Sequence, residues 1–202
     1  MLNMNKKYVR LVLGLAIFLV IPFQAVAATP KETVEAGVNN LLKTLGDPSF
    51  KAKSRDDRIA ALSTQIATVF DFKELSRRTL GRSWKKMSPE QQTEFVELFQ
   101  KLLQGVYADL LMTYTDQKII FGAEKTLKKG RAEVESYLVT ADGKKIPLFY
   151  RLTDKSGSWK VYDVVIEGVS MVKNYRTQFR EIMSGGSPEK LLEILRKKGD
   201  KA

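Results

Sequence analysis

Residues 159–171 read Trp-Lys-Val-Tyr-Asp-Val-Val-Ile-Glu-Gly-Val-Ser-Met, and this stretch decides the fold. Val161, Val164, Val165 and Ile166 put apolar side chains on both faces, which predicts a strand covered on two sides rather than one with a wet face. After Glu167-Gly168 the period becomes helical, with Val169, Val172, Tyr175, Phe179 and Ile182 on one stripe. A central strand therefore feeds an amphipathic helix through a glycine that can take backbone angles closed to other residues.

Upstream of this strand the sequence has a period of two from Gln117 onward. Strands are predicted over 118–124, 132–140, 145–153 and 159–166, joined by Lys128-Lys129-Gly130, Ala141-Asp142-Gly143 and Lys155-Ser156-Gly157-Ser158. The connections are short enough for a four-stranded antiparallel meander. Pro147 cannot donate a ladder bond, so a bulge or an edge is expected in the third strand.

Before the strands the pattern is helical. Thr29-Pro30-Lys31-Glu32 is a capped start followed by the stripe Val34, Val38, Leu41, Leu42 and Leu45, and Gly46-Asp47-Pro48 stops it. A helix over 55–68 follows, with Ile59, Leu62, Ile66 and Val69 inward. A short one begins at Asp71, with Glu74 at the capping-box position, and ends at Gly81. Ser88-Pro89-Glu90-Gln91 opens the longest helix, to about Tyr114, carrying Phe95, Phe99, Leu102, Val106 and Leu110 in line, widened by Leu98, Leu103, Tyr107, Leu111 and Tyr114. After the sheet come a helix over 168–183 and a last one from Ser187-Pro188-Glu189 with Leu191, Leu192 and Leu195, its charged tail from Arg196 frayed. Helices, then strands, then helices make this an α+β fold.

The first 27 residues carry Lys6, Lys7 and Arg10, an apolar run over 11–23 and Ala25-Val26-Ala27, the layout of a cleaved secretory signal peptide. One domain over 28–202 remains, without a cysteine for a disulfide or a lipid anchor. The formal charge of +11 falls to +8 once Lys6, Lys7 and Arg10 are removed. For an exported chain this points away from nucleic acid and toward membranes or acidic proteins.

With no histidine and no cysteine, the chain lacks thiol catalysis, the Ser-His-Asp arrangement and the usual zinc ligand sets, and no phosphate-cradling Gly-rich loop occurs. Ser170-Met171-Val172-Lys173 matches a Ser-x-x-Lys nucleophile pattern, but its companion elements are missing. Asp163 and Glu167 could be paired carboxylates, yet a strand-end Asp and Glu more often fix a turn or pair with arginine. The aromatic supply on facing elements fits an ordinary core or an apolar ligand cavity, and periodicity does not separate the two.

Several motifs keep their order and spacing across 55–183. They are Asp71-Phe72-Lys73-Glu74-Leu75, Leu80-Gly81-Arg82-Ser83-Trp84, Ser88-Pro89-Glu90-Gln91-Gln92 with Phe95, Tyr150-Arg151-Leu152, Trp159-Lys160-Val161-Tyr162-Asp163-Val164 and Glu167-Gly168-Val169-Ser170. Together they resemble the MlaC, or toluene-tolerance, family. The resemblance implies a soluble periplasmic phospholipid carrier, not an enzyme, with a twisted sheet wrapped by helices around the acyl chains. It implies docking to an outer-membrane lipoprotein and to an inner-membrane MCE-domain ABC transporter, maintaining outer-membrane lipid asymmetry. The carrier would be a monomer, needing no cofactor and no metal beyond its phospholipid cargo.

On that reading the tail-binding residues are expected among Phe95, Phe99, Leu102, Leu103, Val106, Tyr107, Leu110, Phe121, Val134, Leu138, Leu148, Tyr150, Tyr162, Val164, Ile166, Val169 and Met171, with Arg78 and Arg151 for the head group. Two tails hold about 30 methylenes, and at about 0.8 kcal/mol each their exposure costs about 24 kcal/mol, so the cavity has to take nearly all of both. Another apolar ligand, such as a hopanoid or an organic solvent, is the alternative. A hydrolase of the same shape would need a polar constellation not found here, and a structural adaptor would need a filled core.

Overall fold

A computed structural model describes residues 28–113, 117–155 and 157–199. The leader over 1–27, Tyr114 and Ser156 lie outside the described residues.

Helix α1 (Pro30–Gly46) starts on a reciprocal cap: Thr29 Oγ1 accepts from Glu32 N at 3.1 Å and Glu32 Oε2 accepts from Thr29 N at 2.8 Å. Asp47 caps the single turn α2 (Pro48–Lys51), which sequence periodicity is too short to reveal. Helix α3 (Arg55–Val69) lies against α1.

Helix α4 (Phe72–Leu80) begins on Asp71, whose Oδ1 accepts from Glu74 N at 2.8 Å. The expected return bond from Glu74 is not made. The Asp71 N–H instead donates to the Val161 carbonyl at 2.8 Å, beside a parallel bridge between Phe70 and Val161, which frees the Glu74 carboxylate for Arg77 and Arg78. Gly81, at φ +57°, turns the chain into a 3-10 turn (Gly81–Lys86) rather than a loop. Helix α5 (Pro89–Met112) opens on the predicted Ser88–Gln91 capping box.

The meander β1 (Lys118–Lys128), β2 (Arg131–Val139), β3 (Lys145–Lys155) and β4 (Ser158–Ile166) is antiparallel in that order. The sheet has five strands, not four. Glu167 (φ 49°) and Gly168 (φ 82°) form a tight reversal, and β5 (Val169–Ser170) pairs back onto Val165 and Ile166. The following helix α6 (Met171–Ser184) therefore starts later than the period suggested, capped by Ser170.

Pro147 makes neither a bulge nor a true edge. The register runs unbroken from Val134–Tyr150 to Tyr137–Pro147. The Pro147 carbonyl accepts from Glu167 N at 3.0 Å, beyond the last β3–β4 pair at Leu148–Ile166, so its missing N–H breaks no ladder bond. The register shifts fall elsewhere, in β1 between Phe121 and Glu124 and between Thr126 and Lys128, and in β4, where Tyr162 is the extra residue opposite Arg151 and Leu152.

The buried side chains divide into separate clusters. One joins α4, the 3-10 turn, the first half of α5, α6 and α7 (Pro188–Gly199). Its centre is aromatic: Phe99 lies 5.0 Å from Tyr175 and 5.2 Å from Phe179, and Phe95 lies 5.5 Å from Phe179, ring centroid to centroid. Helix α7 does not fray at Arg196. Leu191, Leu192 and Leu195 are buried, and Arg196 donates to Glu94 at 2.7 Å and to Glu189 at 2.8 Å. A second cluster joins Val34 of α1 to Val134, Leu152, Val161 and Val164 of the sheet. A third, of Leu45, Phe50 and Leu62, packs α1, α2 and α3 beside Leu111 and Met112 at the end of α5.

Candidate apolar binding cavity

Between these clusters lies a cavity of about 450 Å³, within the range of about 300–1,000 Å³ usual for small-molecule sites. Its walls come from four directions. Helix α1 gives Val34, Val38, Leu41 and Leu42, and α3 gives Ile59, Ile66 and Val69. The second half of α5 gives Leu103, Tyr107, Leu110 and Leu111. The sheet gives Ile119, Leu138, Ile146, Leu148, Tyr150, Val164 and Ile166, and Met171 closes the corner at α6. Gly37 lines the wall because nothing larger fits there: a Cβ would stand 2.6 Å from Val69 Cγ2.

Of the seventeen apolar candidates read from sequence, Leu103, Tyr107, Leu110, Leu138, Leu148, Tyr150, Val164, Ile166 and Met171 stand on this wall. Phe95, Phe99 and Leu102 do not. They belong to the helical cluster, Phe95 and Phe99 two turns and one turn nearer the start of α5 and Leu102 directly before Leu103, with their side chains buried there. Val134 is fully buried beneath the sheet's α1-facing side, and Phe121 packs beside it. Val106 and Val169 are not on the wall and are 51% and 62% exposed. Tyr162, displaced by the β4 bulge, lies under the Arg78 guanidinium at 3.8 Å from ring centroid to carbon.

The two arginines are tied down away from the cavity. Arg78 Nε donates to Glu74 Oε1 at 2.8 Å, and its backbone carbonyl accepts from Arg176 at 2.9 and 2.6 Å. Burial alone would raise the Glu74 carboxyl. The hydrogen bond from Arg77 and the charges of Arg78 and Arg77 outweigh it and hold the group below the usual carboxylate range. Arg151 donates to Glu133 at 2.8 Å and to Asp163 at 3.3 Å. Asp163 is the hub of that seam: buried, it also accepts from Ser170 Oγ at 2.7 Å and Val172 N at 2.9 Å, fixing the start of α6 on β4. Ser170 of the Ser-x-x-Lys pattern thus donates to a carboxylate and accepts from Lys173 N at 3.1 Å, as a helix cap does.

Polar groups at the cavity are few and neutral. The Tyr150 hydroxyl is pushed well up by burial, opposed by a hydrogen bond with Ser136, and burial also raises Tyr107. Tyr175, behind Tyr107, is pushed up to about 12, by burial first and by Tyr107 second. Ser63, Gln65, Gln100, Gln104, Thr113, Gln117 and Thr140 are the other polar lining residues. Among the described lining residues only Leu110 and Thr113 are exposed, one turn apart on the last stretch of α5, which places the mouth there. Sequence reading missed the α1 and α3 walls. Their apolar stripes were visible, but nothing in a stripe says that it faces open space.

Among the described residues no group of His, Cys, Asp or Glu is placed to hold a metal, and no helix is long and apolar enough to cross a membrane.

Known proteins with the same build bear on this cavity. The chain is 30% identical over 165 residues to the toluene tolerance protein ttg2D of Pseudomonas putida, covering 80% of this chain and 77% of that one. It is 26% identical over 179 residues to the intermembrane phospholipid transport system binding protein MlaC of Haemophilus influenzae, covering 86% and 84%. A phospholipid-binding protein from Ralstonia solanacearum, solved in complex with a phospholipid, superposes with a TM-score of 0.79 at 26% identity, over 86% of this chain and 98% of that one. The family model for the MlaC protein matches residues 35–197. This chain belongs to the MlaC protein family.

Proposed function

We propose that this protein is an exported, non-enzymatic phospholipid carrier that holds lipid tails in the cavity between α1, α3, α5 and the sheet. The observation that carries the reading is the apolar cavity itself, with a single exposed stretch of lining at Leu110 and Thr113. The phospholipid named in the complex of the Ralstonia solanacearum protein supports the same ligand class here. Tails lie against the sheet floor of Leu138, Leu148, Val164 and Ile166 and under the α1–α3 cover. Each methylene so sheltered is worth about 0.8 kcal/mol, which is what lets a soluble protein compete with a bilayer.

The head group rests at the mouth, among Thr113, Gln117 and Thr140, where water stays in reach and neutral donors suffice for a phosphate. Loaded in this way, the carrier passes lipid between an outer-membrane lipoprotein complex and an inner-membrane MCE-domain ABC transporter, as the transport-system name of the Haemophilus influenzae relative suggests. The first 27 residues direct its export. Native mass spectrometry of protein purified without added lipid tests the reading: a phospholipid adduct is expected, and a bare polypeptide mass under gentle conditions refutes it.

A further inference from the structure

A cavity for hydrocarbon tails has to be pressed against its source, because tails crossing water lose the benefit of burial at both ends. The surface around the mouth is therefore informative. Leu110 is both a wall residue and 64% exposed, so the apolar lining continues onto the surface. Val106 stands one turn earlier on the same face of α5 and is 51% exposed. Val169 is 62% exposed and is the register partner of Ile166, a wall residue, so it stands beside the cavity on the same face of the β4–β5 reversal.

The charges at this end are biased. Lys118 and Lys145 both lie in register with Val139, flanking it on neighbouring strands at the end of the sheet, and Lys173 sits in the first turn of α6. All three are exposed, and none has an ion-pair partner among the described residues. Among the described acids nearby, Asp109 pairs with Arg55 at 3.2 Å and Glu167 with Lys144 at 4.0 Å, while Asp142 keeps its charge and accepts from the Thr140 hydroxyl.

From this juxtaposition we propose that the mouth end, Val106, Leu110 and Val169 ringed by Lys118, Lys145 and Lys173, docks directly on the surface of an anionic phospholipid bilayer. The proposal rests on the carrier reading. The exposed aliphatic side chains stand on separate elements, with lysines bordering them. They fit a lipid surface, where apolar side chains enter the head-group layer and lysines meet phosphates. Docked flush, the mouth opens onto acyl chains rather than water.

The test is flotation of the full mature chain with phosphatidylglycerol vesicles and with phosphatidylcholine vesicles. Binding is expected on the anionic vesicles, about tenfold or more weaker on the zwitterionic ones and in about 1 M salt, where the Debye length shrinks to about 3 Å. The double substitution Val106→Glu with Val169→Glu changes no lining residue and should weaken binding about tenfold or more, with lipid content by native mass spectrometry unchanged. Lys118→Glu, Lys145→Glu and Lys173→Glu together should do the same. Wild-type binding by these variants, or no binding of the unaltered protein to anionic vesicles, overturns the proposal. So does a concentration-dependent dimer, seen by ultracentrifugation and lost in the Val106→Glu, Val169→Glu variant, since it would give this face to a second copy. A bare polypeptide mass would refute the carrier reading and leave the vesicle result standing by itself.

Discussion

Replacing Leu148 with tryptophan should empty the protein of lipid while leaving it folded. Leu148 lies on β3, opposite Ile166 on β4, half-buried and facing the cavity. Tryptophan brings about six more heavy atoms and suits a strand, so the added volume goes into open space rather than into packed neighbours. If about six methylenes of tail are pushed out to water, the loss is about 5 kcal/mol at about 0.8 kcal/mol each. If the tails refold within the remaining space and only half are exposed, it is about 2.5 kcal/mol. At about 1.4 kcal/mol per factor of ten, lipid is held between about 60-fold and about 4,000-fold more weakly. The assay is phosphate quantitation after organic extraction, alongside native mass spectrometry and a thermal melt. A variant melting within a few degrees of the parent yet retaining its full lipid complement would refute the placement of the tails on this floor.

Leu152, on the same strand but fully buried against Val134 and Val161, should behave in the opposite sense: Leu152→Ala costs about 2–5 kcal/mol in urea unfolding, whereas Leu148→Ala costs clearly less because its side chain already borders open space. Arg151→Ala leaves Asp163 buried with one cationic partner fewer and should cost about 2–3 kcal/mol, while lipid retained per folded molecule stays at the parent level. Glu74 carries a pH signature. Its folded-state carboxyl is held below the ordinary value, so its contribution is fully present above about pH 4.3 and fades as the pH falls through the lower folded value. Glu74→Gln, discounted because Arg77 is half exposed, should cost about 2 kcal/mol near neutral pH and flatten the acid limb of the stability curve; equal losses at pH 3 and pH 7 would contradict this.

How much of this was legible in the sequence differs by level. Element types and order were readable, because caps such as Ser88–Gln91 and the switch from helical to alternating period are local signals. The two-residue β5 was not, since it exists only through its pairing with Val165 and Ile166. Nor was the persistence of α7 past Arg196, which depends on Glu94, 102 positions away. The site was legible only in part. Apolar periodicity reports that a face is covered, not whether protein or empty space covers it. Helix α5 makes the point, because one continuous stripe serves both: Phe95, Phe99 and Leu102 are buried in the helical cluster, Leu103 and Tyr107 touch both that cluster and the cavity, and Leu110 meets the cavity. Arg78 and Arg151 were expected at the head group, yet the acids that hold Arg151 stand 18 and 12 positions away on neighbouring strands, and register, not spacing, brings them together.

The division of α5 also says how the fold can keep a hollow interior. An unfilled apolar cavity costs stability in proportion to the contacts its walls lack. Here the first half of α5 is fixed on its own by the aromatic cluster with Tyr175 and Phe179 and by Leu191, Leu192 and Leu195 of α7. The Asp163 hub, through Ser170 Oγ and Val172 N, fastens α6 to β4 without using any cavity residue. The helical cluster and the α6–β4 seam are thus held mainly by groups off the cavity wall, although Leu103 of the first cluster and Val34, Tyr150 and Val164 of the second also line it. The α1–α3 cover leans more on the cavity: Val38, Leu41, Ile59, Ile66 and Val69 line it at partial burial, while Val34 is also buried against the sheet. Stability gained from cargo should therefore concentrate in α1 and α3, and amide exchange measured with and without lipid should slow there while Phe95, Phe99 and Phe179 report no change. Uniform slowing across both clusters would mean that the helical cluster leans on the ligand after all.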